Sequence, residues 1–172
     1  MLITTKIIEN IADFAAIDAI YQKCFGNDSV PTSVQFEWWQ KYPQGIIGLL
    51  ENNTIIGGMS FWPLHPRGFD LLNEGLIKEK ELTSHDIDTL SPKGIYISEI
   101  AIAEKYRGKQ YSQLLLQSFL QQSILYKNSE KKLPMLALAY SIQGKSVLQK
   151  TGFRLHRKAE KMPDLQDLFI LD

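Results

Sequence analysis

The sequence has almost no cysteine and no excess of charge. Cys24 is the only cysteine, which excludes an intrachain disulfide framework and any metal site built from several cysteines, and favours a reducing compartment. The 19 basic and 19 acidic residues cancel to zero, so no overall field attracts nucleic acid or an anionic membrane. No apolar run approaches the ~18 residues of a membrane span, and the first residues show no secretory signal. We expect a cytoplasmic protein that binds neither nucleic acid nor a membrane.

The composition is that of a folded domain. With 172 residues, 44% of them hydrophobic, the chain predicts one compact domain over residues 1–172. His65, His85 and His156 share no metal-ligand spacing, so no metal is predicted. Residues 64–93 break into short helical pieces and predict a helical insertion. Its acidic excess either favours a cationic ligand or forms a solvated surface.

Local signals place several elements. Asn10, followed three residues later by Asp13, predicts a helix start, and Gly26 a natural end of that helix. Asn52 and Asn53 lie between two apolar runs and tolerate the positive φ angles of a tight hairpin turn. The order of these patterns along the chain is one of alternating strands and helices, which indicates an α/β fold.

The segment from 94 to 126 carries the strongest chemical signal. A buried strand (94–103) leads through the charged turn EKYRGKQ into an amphipathic helix (111–126). Unpaired N–H groups and the positive end of the dipole at such a helix start form an anion site suited to a pyrophosphate. Arg107 and Lys109 add positive charge. The alternative is a plain strand-to-helix connection whose basic residues are solvated.

The run IAEKYRGKQYSQLLL (102–116) resembles the acetyl-CoA pyrophosphate loop of the GCN5-related N-acetyltransferase (GNAT) superfamily. The family pattern is Arg or Gln, two residues, Gly, one residue, Gly or Ala. Arg107 fits its first position, whereas Gln110 replaces the central Gly and Ser112 the last small residue. The stretch 133–158 resembles the next strand, helix and Gly-Phe of the family. In that helix Leu148 stands where many members carry a Tyr that protonates the departing thiolate, and Ser141 where many have Asn.

The resemblance implies a mixed, strongly twisted sheet of about seven strands flanked by helices. It also implies an N-acetyltransferase that moves an acetyl group from acetyl-CoA to a primary amine by direct attack in a ternary complex. The amine would belong to a small molecule or a peptide. The residues implied in binding acetyl-CoA are Ile100, Ile102, Ala103, Arg107, Gly108, Lys109, Gln110, Tyr111, Ser112 and Lys145.

Amide formation requires a neutral amine, yet an alkylamine of pKa ~10.4 is only about one part in a thousand unprotonated near pH 7. In the family a backbone N–H on the fourth strand, here that of Ile102, polarises the thioester carbonyl. Glu99 is the only carboxylate in that strand and the candidate base, because apolar neighbours raise a carboxyl pKa. An ion pair or an orientation to the other face of the sheet are equal alternatives. Tyr140 and Ser141 are the candidate acids, although a Tyr at a strand end is often simply packed.

Two other functions stay open at this level. Gln110 and Leu148 favour a non-catalytic acyl-CoA-binding or regulatory module, and a protein-interaction domain without cofactor is a third interpretation. The sequence does not specify the acceptor, the acyl chain or the oligomeric state. A homodimer remains open, since the edge of the C-terminal hairpin is able to pair between subunits.

Overall fold

The computed structural model of the protein describes residues 2–122 and 132–172. Its strands are β1 (Ile3–Ile7), β2 (Ile46–Glu51), β3 (Thr54–Leu64), β4 (Gly94–Ile102), β5 (Met135–Ala139), β6 (Arg154–Arg157) and β7 (Asp167–Leu171). Its helices are α1 (Ile11–Phe25), α2 (Thr32–Lys41), α3 (Pro66–Asn73), α4 (Tyr111–Gln122) and α5 (Ile142–Lys150). The part of the predicted helix from 123 to 126 lies outside the described residues.

The strands form one mixed sheet in the order β1-β2-β3-β4-β5-β7-β6. Every neighbouring pair is antiparallel except β4 and β5, which run parallel. The chain therefore crosses over between the parallel strands β4 and β5, in the connection that contains α4. It crosses over again through α5 between β5 and β6, because β7 lies between these two strands in the sheet. The predicted fold class, a mixed α/β sheet of seven strands flanked by helices, is confirmed.

Local side-chain chemistry determines several boundaries as predicted. The Asn10 side chain accepts a hydrogen bond from the N–H of Asp13 (2.9 Å) and caps α1, which ends at Gly26 with a φ of 56°. Asn52 and Asn53 have φ values of 47° and 66° and form the tight turn between β2 and β3. These features follow from residues that are close in sequence, which is why the sequence alone predicts them.

Helices cover both faces of the sheet. Successive residues of β3 point to opposite faces: the Ser60 hydroxyl contacts the Tyr21 hydroxyl of α1 at 3.0 Å, whereas the Phe61 ring packs on Phe119 of α4 at 4.4 Å. A Cβ atom added at Gly58 would stand only 2.9 Å from a methyl group of Ile17, which shows how closely α1 lies against the sheet. Among the described residues no helix has both the length and the apolar character needed to cross a bilayer.

Residues 65–93 connect β3 to β4 and contain α3 and two short 3-10 turns, Glu79–Glu81 and Ser84–Asp86. His65 caps α3, since its Nδ1 accepts from the N–H of Arg67 (3.3 Å). The connection packs tightly on the start of β4: a Cβ at Gly94 would overlap the ring of Phe69. The connection therefore lies against the sheet.

Candidate functional site

The two central strands separate along their length. β4 and β5 pair over three residues only, Ile95–Ile97 with Met135–Ala137. β4 continues to Ile102, and β5 continues to Ala139 while it remains paired with β7 on its other edge. Beyond Ile97 the facing edges of the two strands are no longer joined. This leaves a cleft in the middle of the sheet whose sides are peptide backbone.

A β-bulge lies at the point of separation. Opposite β3, Ser60 pairs with Glu99 and Phe61 with Ile97, so Ser98 is an extra residue in β4. A bulge bends its strand and increases the local twist, and here it coincides with the end of the pairing with β5. The Ser98 hydroxyl accepts a hydrogen bond from the indole N–H of Trp62 (2.9 Å), which holds the bulge on the sheet.

The backbone of β4 presents N–H groups to the cleft. The N–H of Ala103 donates to the carbonyl of Ile56 in β3 (2.8 Å). Because the N–H groups of successive residues in a strand point to opposite edges, the N–H of Ile102 points to the cleft edge of β4. The same alternation directs the N–H of Ile100 there. Ile100, Ile102 and Ala103 thus lie along the cleft, and of these three N–H groups that of Ala103 is bonded to β3.

The turn after β4 adopts the left-handed backbone conformations of an anion-binding loop. Gly108 has a φ of 81° and Gln110 a φ of 60°. Gln110, which replaces the glycine of the family pattern, therefore keeps the conformation that glycine adopts most readily. α4 starts at once, with the N–H of Leu114 donating to the Gln110 carbonyl (3.1 Å). The N–H groups of Tyr111 and Ser112 in its first turn have no partner within the helix and are available to an anion.

The basic side chains of this loop and of α5 make different contacts. The ammonium groups of Lys105 and Lys109 lie 4.7 and 5.7 Å from the ring centre of Tyr106, and both residues are exposed. Arg107 is also exposed, but its Nε donates to the carbonyl of Ile102 (3.1 Å). Lys145, on α5, pairs with Asp167 at 2.7 Å and holds the pKa of that carboxyl below its usual range.

Glu99 is a buried carboxyl with three hydrogen-bond donors. Its side chain accepts bonds from the Ser29 hydroxyl (2.7 Å), the N–H of Val30 (3.2 Å) and the amide of Gln35. Glu99 is 4% exposed, and its burial raises its pKa to about 7, although the three donors act in the opposite direction. No described salt bridge involves Glu99, so the ion-pair alternative is wrong for the described part of the chain.

The donors around Glu99 were not predicted. Ser29 and Val30 belong to the connection between α1 and α2, and Gln35 lies in α2 with no exposed surface. They are more than 60 residues from Glu99 in the chain, so no local pattern points to them. In α2, Gln35 and Glu37 alternate with apolar residues. This pattern could have indicated that one polar side chain faces inward, but it does not identify the partner of that side chain.

The two candidate acids lie on the other side of the cleft, directly after β5. Tyr140 is 69% exposed. The Ser141 hydroxyl caps α5 by accepting from the N–H of Gly144 (3.0 Å), which leaves its own proton free to donate. Leu148, at the position of the family's Tyr, is buried in the core and has no proton to give. Tyr140 and Ser141 are thus adjacent to each other and separated from Glu99 by the cleft.

A second buried carboxyl, Glu79, belongs to the connection whose acidic excess was interpreted either as favouring a cationic ligand or as a solvated surface. The Tyr96 hydroxyl donates to Glu79, and the Glu79 N–H donates to Asp164 (2.9 Å). Burial raises the pKa values of both Glu79 and Asp164. Asp86 is also buried and pairs with Arg67 at 2.7 Å. These acids fasten the connection 65–93 to the sheet and to the β6–β7 connection, so the expectation of a solvated acidic surface is wrong for them.

Comparisons with known proteins agree with this geometry. The model of the family described as "Acetyltransferase (GNAT) family" matches residues 14–141. The chain belongs to the GNAT family. A search of curated proteins gave no match. At the level of the family, the activity of GNAT proteins is acetyl transfer from acyl-CoA.

Several solved structures share the GNAT fold with this chain. The loading GNATL domain of CurA from Lyngbya majuscula has a TM-score of 0.74 at 15% identity, over 100% of this chain and 98% of that one. The GphF GNAT-like decarboxylase in complex with isobutyryl-CoA has a TM-score of 0.73 at 13% identity, over 99% and 98%. Diaminobutyrate acetyltransferase EctA from Paenibacillus lautus, in complex with L-2,4-diaminobutyric acid and coenzyme A, has a TM-score of 0.65 at 11% identity, over 98% and 93%.

The residues of this GNAT chain fit a CoA thioester. The cleft offers N–H groups at Ile100 and Ile102 for a chain of amides, and the loop at 108–112 offers N–H groups and the charge of Lys109 for phosphates. In the described part of the chain no group of three or more His, Cys, Asp or Glu side chains is arranged to hold a metal ion.

Proposed function

We propose that residues 1–172 form a single domain that transfers an acetyl group from acetyl-CoA to a primary amine, by direct attack in a ternary complex. The observation that carries this proposal is the cleft between β4 and β5 together with the left-handed loop at Gly108 and Gln110. The acceptor is a small molecule or a peptide that carries the amine.

Acetyl-CoA would supply the activated acetyl group. The backbone of β4 orients it: the N–H of Ile102 points into the cleft and would donate to the thioester carbonyl, where negative charge develops. Ile100 and Ala103 would flank the pantetheine arm. The loop residues Gly108 to Ser112 would hold the pyrophosphate through their N–H groups, with Lys109 adding charge. Lys145, at the first turn of α5, would add positive charge on the far side of the cleft.

Glu99 would take the proton that the amine must lose. Its raised pKa suits a base that works near neutral pH. The Ser29 hydroxyl already donates to Glu99, so the proton would reach the carboxyl through this hydroxyl, although Ser29 is itself only 7% exposed. Ser29 would accept a proton from the amine, directly or through one water, while its own proton passes to Glu99. The hydroxyl is regenerated, and Glu99 becomes neutral.

Tyr140 and Ser141 would return a proton to the leaving thiolate. Both follow the end of β5 beside the cleft, and both carry a hydroxyl that is able to donate. They stand in for the Tyr that Leu148 replaces. The burial of Leu148 also favours the second candidate function, an acyl-CoA-binding module without turnover, because the usual acid is absent.

Calorimetric titration with acetyl-CoA and with free CoA, at two salt concentrations, tests the cofactor site. We expect micromolar binding that weakens as salt screens the phosphates. An amine panel would then be assayed for turnover across pH 5.5–8.5, with Glu99→Gln and the exposed control Glu37→Gln. The rate should rise with pH in every variant because the amine loses its proton. We expect the profiles of the wild type and of the control to bend in addition at about pH 7, and Glu99→Gln to lose that bend.

The outcomes separate the candidate functions. Binding with turnover supports the transferase. Binding without turnover for any amine favours the acyl-CoA-binding module. Failure to bind either CoA species contradicts both and favours an interaction domain.

A further inference from the structure

The Arg107 side chain connects three elements at the start of the loop. Its Nε donates to the carbonyl of Ile102, the last residue of β4, at 3.1 Å, and one Nη lies 3.1 Å from the sulfur of Cys24. Cys24 is in the last turn of α1. The guanidinium thus joins the end of α1, the end of β4 and the loop itself. The planar group donates in two directions at once, which an ammonium group does not reproduce.

These contacts fix the last peptide of β4. The carbonyl of Ile102 belongs to the same peptide as the N–H of Ala103, and that N–H donates to Ile56 in β3 at 2.8 Å. Arg107 holds one side of this peptide, together with the Cys24 thiol, which donates to the same carbonyl at 3.7 Å, and β3 holds the other side. The preceding peptide carries the Ile102 N–H that points into the cleft. The orientation of that N–H therefore depends on a peptide plane that Arg107 holds.

The positive charge of Arg107 lies near the negative end of the α1 dipole. The carbonyl end of a helix is the negative end of its dipole, and the guanidinium lies against the last turn of α1. Lys105 and Lys109 differ, because their ammonium groups lie over the ring of Tyr106, and that of Lys109 also lies 5.9 Å from the ring centre of Tyr111. The loop therefore has one cation that hydrogen-bonds to the end of β4 and two that lie over aromatic rings.

We propose that Arg107 is a positioning residue, not a phosphate ligand. It orients the last peptide of β4, and through it the Ile102 N–H, while Lys109 supplies charge to the pyrophosphate. This inference rests on the proposed function for its catalytic consequence, and on the contacts of the free protein for its structural one.

The test uses four variants of the full chain. Arg107→Gln removes the charge and the two-way contact, and Arg107→Lys keeps the charge but loses the planar group. Lys109→Gln removes an exposed positive charge of the loop. Arg154→Gln is a matched control at a surface ion pair of β6. For each we would measure kcat, KM, the Kd of CoA at two salt concentrations and, without ligand, amide exchange at Ala103 by NMR.

We expect both Arg107 variants to lower kcat about tenfold or more, because misplacement of an orienting group is costly, and to keep the salt dependence of the CoA Kd. Their Ala103 amide should exchange about tenfold faster, since one hydrogen bond of its peptide is lost. Lys109→Gln should raise the Kd and weaken its salt dependence. Arg154→Gln should match the wild type in every measurement.

Two results would overturn the inference. One is an Arg107→Lys variant that behaves as the wild type, which would show that charge alone matters. The other is unchanged exchange at Ala103 in both Arg107 variants. If the wild-type protein binds no CoA, the proposed function fails, and the exchange rates still decide whether Arg107 holds the strand end.

Discussion

Replacing Glu99 by Gln should make the protein relatively more stable as the pH rises. The carboxyl is 4% exposed, and burial raises its pKa to about 7. In an unfolded chain a Glu carboxyl has a pKa of about 4.3. Between these two values the folded protein binds more protons than the unfolded one, so the free energy of unfolding falls with increasing pH. The contribution of neutral Glu99 is present below about pH 4.3 and is lost as the pH passes about 7.

The size of the effect follows from the two pKa values. One pKa unit corresponds to about 1.4 kcal/mol, so the difference between about 4.3 and about 7 corresponds to about 3.7 kcal/mol. The amide introduced by Glu99→Gln would be neutral at every pH and would not show this loss. Ser29 and Val30 could still donate to its carbonyl oxygen. Its N–H could donate to the Gln35 oxygen, which has no partner among the described residues, once the Gln35 amide turns, because that amide now directs its N–H to Glu99.

Urea unfolding of both proteins at pH 5, 6, 7 and 8.5 measures the difference. We expect the free energy of unfolding of Glu99→Gln minus that of the wild type to increase by about 3 kcal/mol from the lowest to the highest pH. Other titrating groups are common to both proteins and cancel in the difference. Glu37→Gln, on the exposed side of α2, controls for the loss of one carboxylate. A difference that stays constant across this range would refute the reasoning.

Two further predictions concern the loop and α5. Gln110→Gly should stabilise the protein by about 0.5–1 kcal/mol, because relief of the left-handed strain exceeds the added flexibility of glycine, whereas Gln117→Gly on the exposed side of α4 should destabilise it by about 1 kcal/mol. Urea unfolding checks both, and a destabilised Gln110→Gly would contradict the strain argument. Ser141→Ala should cost about 1 kcal/mol through loss of the helix cap, and Ser141→Asn, which is able to cap, should cost much less. Thermal unfolding compares the two, and equal losses would show that the cap does not stabilise α5.

The parts of the fold that depend on neighbouring residues were predictable. Asn10 caps α1, and Asn52 with Asn53 turns the first hairpin, because both effects operate within three or four residues. The strand, loop and helix from 94 to 122 were predictable for the same reason. The loop also keeps its left-handed backbone at Gln110 despite the change from glycine, which the pattern of residue types does not reveal.

The surroundings of the candidate base were not predictable. Glu99 was selected as the only carboxylate of its strand, but the groups that surround it come from the α1–α2 connection and α2. Glu79 lies among charged residues in the sequence, and the packing of the connection on Tyr96 buries it. The bulge at Ser98 has no glycine to mark it. All three depend on contacts between distant segments.

Because β4 and β5 pair over only three residues, the sheet consists of two bodies of paired strands with a hinge between them. β1 to β4 form one antiparallel body and β5, β7 and β6 another, and within the sheet only three pairs of residues join them. Bending about that line would break few backbone pairs of the sheet, and the connection 65–93 would oppose it, because Glu79 contacts both Tyr96 of β4 and Asp164 of the β6–β7 connection. Any molecule that contacts both edges of the cleft spans the hinge. Binding of such a molecule would therefore also restrict motion between the two bodies. This restriction would be measurable as slower hydrogen exchange in strands that the molecule does not contact.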